Sequence, residues 1–217
     1  MELIPVLELP PFEFTTSERD SPCGSCREEP EAWKHYWSAC LADSEIRGLA
    51  PLRSGSWNVP VRNIDGPNLR RILALTFEKW GGLETLRDPA CSPLLSGGLA
   101  LRSDGNIMVE PNCCADLRNW EDWVEAANYQ GTDWQMLWIG HPWLSVRYEE
   151  AWLIISDAHE SDRPTPRWRV APEQLSRAVA GAIVELEGFA QAIGPQLAEL
   201  GCADVPNLAR HLAGFVN

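Results

Sequence analysis

Apolar positions recur along the chain with two periods, and the elements change where the period changes. Trp33, Tyr36, Trp37, Cys40 and Leu41 fall at i, i+3, i+4, i+7 and i+8, the stripe of one helix from Glu31 to about Ile46, and Pro30 suits its first turn. Leu69, Ile72, Leu73, Thr76 and Trp80 predict a second helix over about Asn68–Trp80, closed by Gly81-Gly82. The period then shortens to two. Leu99–Arg102 and Ile107–Glu110 flank Ser103-Asp104-Gly105-Asn106, and Asp-Gly between apolar runs signals a hairpin. A short helix carrying Trp120, Trp123, Val124 and Ala127 on one side follows, with Asn119 placed to cap it. Trp134–Ile139, Trp143–Tyr148 and Ala151–Ser156 read as an antiparallel meander, broken by Gly140-His141-Pro142 and by Glu149-Glu150. Trp168–Val170 adds a short strand. The longest stripe comes last: Leu175, Val179, Ile183, Leu186, Ala190 and Ile193 keep a 3.6-residue period from Pro172 to Gly194, after which Pro195 and Pro206 each start a short helix.

Residues 1–30 hold Pro5, Pro10, Pro11, Pro22 and Pro30 among many acids and read as a proline-rich acidic arm with one short strand near Ile4–Leu9. The expected organisation is this arm followed by a single domain over 31–217. Strands grouped between helical ends predict an α+β fold, one mainly antiparallel sheet with helices packed against one face. The Leu175–Leu186 stripe is expected to cover the sheet of Trp134–Ile139 and Ala151–Ser156, and Arg177, roughly 200° from Leu175, to face solvent.

Composition narrows the function classes. The 217 residues are 45% hydrophobic, which suits a globular domain and excludes extensive disorder. No run approaches the ~20 apolar residues of a membrane span, and Met1-Glu2-Leu3-Ile4-Pro5 lacks the basic start of a signal peptide, so a cytoplasmic location is expected. The net charge of −13 repels phosphate backbones and anionic membranes; plain solubility is its ordinary role, and steering of a basic protein partner is the opportunity it offers. Eleven tryptophans outnumber the 5 phenylalanines and 3 tyrosines together. Most are expected in the core, with the remainder free to anchor an interface.

The chemistry-bearing residues form no standard catalytic signature. Cys23-Gly-Ser-Cys26 with His35 and Cys40 has ligand types suited to tetrahedral zinc, but on a helix His35 and Cys40 point roughly 140° apart. Cys113-Cys114, just after the hairpin, offers thiols for which His141 is the nearest candidate base. These pairs keep open a cysteine-based enzyme or a small zinc-containing module. Filling of a strand-to-helix turn is the simpler explanation of Cys113 and Cys114, and seven irregularly spaced cysteines read as free thiols.

Leu95-Ser-Gly-Gly-Leu99, the hairpin after it, the Pro111 turn into an aromatic helix, Trp134 to Ile139-Gly140, and a meander closed by the helix from Pro172 together resemble the bacterial SUKH superfamily, over about residues 70–193. Its members include immunity proteins that neutralise secreted toxins. The chain departs from the pattern in having no Pro-x-x-Tyr segment before Gly97 and in its Cys113-Cys114 turn. The resemblance implies a single-sheet α+β fold that acts by protein binding, without cofactor or catalysis, and transfers no individual site residue. Charge, tryptophan content and resemblance converge on an immunity-type inhibitor that masks a basic toxin or effector. The expected contact surface is the acidic side of the sheet at Glu149, Glu150, Asp157, Glu160 and Asp162, anchored by Trp143, Trp152 and Trp168.

Overall fold

In the computed structural model, which describes residues 1–86, 93–161 and 163–215, the strands form two four-stranded antiparallel sheets, not one. The first has the order β2-β1-β3-β4, from β1 (Glu2–Glu8), β2 (Asn58–Pro60), β3 (Gly97–Ser103) and β4 (Asn106–Val109). The second runs in sequence order through β5 (Gln135–Leu137), β6 (Leu144–Glu149), β7 (Trp152–Ser156) and β8 (Pro166–Val170). The α-helices among the described residues are α1 (Pro11–Phe14), α2 (Pro30–Asp43), α3 (Gly66–Lys79), α4 (Trp120–Asn128), α5 (Pro172–Glu199) and α6 (Val205–Leu212). The α+β class stands; the single sheet does not.

The second sheet exists because the β3–β4 hairpin takes β1, not the meander, as its neighbour. Residues 1–30 were expected as an arm with one short strand near Ile4–Leu9; a strand is there as β1, but its stretch Leu3–Leu7 is buried throughout. Leu3 and Leu7 enter the main core, whereas Ile4 and Val6 join Ala100 in a small second core covered by Leu52 and Ile107. A strand buried on both faces reads as a continuous apolar run without alternation. Pro5 is tolerated there for a geometric reason. It pairs with Leu99, whose N–H is turned away to the Asn119 side chain, so the Pro5 nitrogen faces the side where β2 has already ended at Val6↔Pro60. Asn119 is thereby used on β3 and does not cap α4; Asp116 instead accepts the Arg118 N–H at the start of the turn that leads into it.

Two backbone bonds stitch the sheets together, from Asn112 N–H to the Ile139 carbonyl (2.6 Å) and from His141 N–H to the Cys113 carbonyl (3.0 Å). Gly140 lies between them at φ +95°, where a Cβ would fall 2.3 Å from the Cys113 oxygen and 2.4 Å from that of Asn112. Only glycine permits that approach.

The α5 stripe has the expected phase, with Leu175, Val179, Leu186 and Ile193 buried, Ile183 half-buried and Arg177 exposed. Its partners differ: α5 packs chiefly on β1 and beside α3, α4 and α6, not across the meander. It also runs through Pro195 as one 28-residue helix. Pro195 and Gln191 are both on the exposed side, so the carbonyl that loses its N–H partner meets water, while Ile193 and Leu197 hold the buried side in register. Of the tryptophans only Trp37 and Trp123 are buried, contrary to the expected core role. Several of the others sit half-buried where an indole N–H finds an acceptor, as Trp33 does at the Gly24 carbonyl and Trp120 at that of Gly214.

The β6–β7 hairpin turns on Glu150 and Ala151, both left-handed at φ +49° and +68° and neither a glycine. Ala151→Gly relieves that strain and is expected to raise stability by about 1 kcal/mol. A thermal melt checks this; a lower melting temperature would mean that the turn is not the left-handed one. Among the described residues no helix is long and apolar enough to cross a membrane.

Candidate functional site: the outer face of the second sheet

Alternation along the meander sends Leu137, Leu144, Val146, Leu153, Ile155 and Val170 into the core. The other face carries Trp134, Met136 and Trp138 from the β5 segment, Trp143 just before β6, Ser145 and Arg147 from β6, Trp152 and Ile154 from β7, and Arg169 from β8. Met136 is 56% exposed and Trp152 is 37% exposed, while Trp134, Trp138, Trp143 and Ile154 are half-buried. The Arg147 guanidinium lies 4.8 Å from the centre of the Trp134 ring and that of Arg169 lies 4.9 Å from Trp152, so each cation holds an indole against the sheet.

At one end, four rings alternate edge to face: Trp138 and His141 at 4.8 Å, His141 and Trp143 at 5.5 Å, Trp143 and His159 at 5.8 Å. His159 joins this row because its backbone pairs with Trp143 in both directions. Its Nδ1–H donates to the Ser161 carbonyl (2.7 Å), which leaves Nε2 to accept the Ser145 hydroxyl (3.0 Å). A serine bonded to a histidine invites a nucleophilic reading. The remaining geometry opposes it: Ser145 is 5% exposed, its own N–H is taken by the Ser156 hydroxyl, and the histidine's second partner is a carbonyl and not a carboxylate. The pair pins the loop after β7 onto the sheet.

The predicted contact residues are only partly brought together. Trp143 and Trp152 share the outer face, whereas Trp168 opposes Ile155 and packs against the core on the other side. Glu149 is bonded to Arg147 (2.5 Å) and Glu150 lies 3.6 Å from Arg169, so these two acids meet arginines at the sheet. Asp157 accepts the Thr165 N–H and closes a loop. Glu160 is exposed, and Asp162 lies outside the described residues. The sequence reading missed Trp134, Met136, Trp138 and His159 as surface residues. Period-two spacing at 134, 136 and 138 was available as a signal, but which face points outward depends on where the core lies.

Among the described residues the cysteines build neither a metal site nor a thiol paired with a histidine ring. The Cys113 thiol donates to the His141 carbonyl (3.4 Å), not to its ring. Cys114 is not activated either: the hydrogen bond to the neighbouring Cys113 thiol pushes its thiol up. Cys23 is exposed, Cys26 half-buried and Cys40 buried, and among the described residues no three His, Cys, Asp or Glu are grouped to hold a metal ion. The six described cysteines are free thiols.

Acids gather elsewhere, on and before α4, where Asp116, Glu121, Asp122 and Glu125 lie close together. Burial, then the charges of Glu125, Glu121 and Asp116, pushes the Asp122 carboxyl up to about 6. The folded chain therefore holds this proton more tightly than the unfolded one, and ionisation between about pH 4 and pH 6 costs stability. Asp122→Asn is expected to raise the melting temperature near neutral pH, with the gain vanishing below about pH 4. A gain confined to acid would have the wrong sign. No protein-family model, curated protein or solved structure matches the chain.

Proposed function

We propose that the chain is a protein-binding module, an immunity-type inhibitor that masks a basic toxin or effector, and that it grips its partner on the outer face of the second sheet. The outward-facing aromatic and apolar row of Trp134, Met136, Trp138, Trp143 and Trp152, exposed at Met136 and Trp152 and half-buried at the others, carries this reading. Interface energy concentrates in large aromatic anchors, and rings already held by Arg147 and Arg169 lose little freedom on binding. Charge supports a basic partner in a different way from that first expected. With Glu149 and Glu150 beside arginines, the attraction comes from the field of the whole chain at −13, which speeds encounter more than it tightens the complex. The resemblance to the SUKH superfamily points the same way, although the single sheet it implies is not the fold of this chain.

The test is co-expression of the chain with the products of the genes that flank its own. One of those products is expected to be basic and toxic, and the chain to restore growth. A Trp143→Ala, Trp152→Ala double variant should lose that rescue while melting within about 1 kcal/mol of the parent, because neither ring is in the core. Rescue by the double variant, or no toxic neighbour for the chain to neutralise, contradicts the proposal.

A further inference from the structure

A cleft of about 420 Å³ opens where the two sheets meet, on the side away from the aromatic row, and its size is that of a small-molecule site. Its apolar surface comes from Ile107 and Met108 of β4 and from Trp168 of β8, all half-buried, above a floor that includes Val109 and Leu144. Arg27 and Arg53 also line it. Glu110 is the acid beside them, and its carboxylate is already filled: one oxygen pairs with Arg53 Nε, and the other accepts the Ser56 hydroxyl (2.5 Å) and the Asn58 amide (3.2 Å). The Asn112 amide is likewise spent on the Pro142 carbonyl (2.6 Å). What remains among the described residues is the whole Arg27 guanidinium and the terminal nitrogens of Arg53, none with a partner.

We propose that this cleft binds an amphipathic organic anion, an apolar chain or ring that carries one carboxylate. The apolar body lies against Met108, Ile107 and Trp168, and the carboxylate meets the Arg27 guanidinium, whose planar fork matches its geometry, and the terminal nitrogens of Arg53. With Glu110 balanced by Arg53, the Arg27 charge is left over, so the lining of the cleft carries a net positive charge within a chain of net charge −13 and the selection for an anion is local. This site is independent of the outer-face reading and survives or fails without it. It also gives Trp168 a role distinct from the one expected for it.

Titration calorimetry of the full chain with decanoate, with decanol and decylammonium as comparisons, tests the assignment. One decanoate is expected to bind per chain, with decanol at least about tenfold weaker, the loss of one charge-assisted contact. Arg27→Ala, which removes an exposed group without a partner in the fold, should weaken decanoate by about tenfold and leave decanol unchanged. Ala158→Phe places a ring at the exposed rim and should abolish both, whereas Met136→Ala, on the opposite face, should change neither. Decanol binding as tightly as decanoate, parent-like binding by both Arg27→Ala and Ala158→Phe, or no saturable decanoate binding overturns the proposal. Thermal melts of each variant separate loss of the site from loss of the fold.

Discussion

Gly97→Ala is expected to leave little folded protein. The residue opens β3 at φ +145°, and a Cβ there would lie 2.0 Å from the Val6 carbonyl oxygen and 3.0 Å from Leu7 Cα. The clash is with backbone of the central strand, so no side chain can swing aside. Positive φ at a non-glycine residue costs about 1–3 kcal/mol and overpacking about 1–3 more, against a total stability of about 5–15. Gly48→Ala is the matched control, with φ +74° but nothing within 4 Å of the added carbon, and should cost about 1 kcal/mol. Soluble yield and circular-dichroism melts decide. If the two variants melt alike, β1 and β3 are not paired in this register.

Leu186→Ala should cost about 2–5 kcal/mol, through lost apolar burial and the cavity left behind. Leu186 is fully buried on α5, in the core shared by both sheets. Ile183, one step round the helix and only half-buried, should cost about 1 kcal/mol when cut to alanine, and exposed Arg177 less than about 0.5. Denaturant titrations that return this order support the helical phase. An Arg177→Ala variant less stable than Leu186→Ala would invert the assigned faces.

Local structure was legible in the sequence where a local rule governs it. Asp104-Gly105 marked the hairpin, and both residues are indeed left-handed. The stripe from Leu175 to Ile193 announced α5, because one helix face must stay buried whatever it packs on. The identity of that partner was not legible. Residues 1–30 read as an arm with only a short strand near Ile4–Leu9 because of Pro5, Pro10 and Pro11, and what makes Pro5 acceptable inside a sheet is the length of β2, a strand more than fifty residues away. The division into two sheets follows from the same long-range pairing. Gly97 and Gly98 begin a strand, and the Val6 backbone and the Asn119 side chain leave no room for a Cβ there, a demand set by residues far away in the chain.

The candidate site shows the same limit. Trp143 and Trp152 were identified and lie on one face, but period two cannot say which face is outward, and so Trp168 was grouped with residues from which a whole sheet separates it. The acids at 149 and 150 were visible, whereas Arg147 and Arg169 beside them became partners only through cross-strand register.

The most direct test of the outer face as the contact surface is photo-crosslinking to the toxic flanking product, with the reactive side chain placed at Met136 or Trp152, and at Val184 for comparison. Val184 is 68% exposed on α5 and lies away from the second sheet's outer face. Crosslinks from positions 136 and 152 with none from 184 are the predicted result. A crosslink from 184 with none from 136 or 152 would contradict the account.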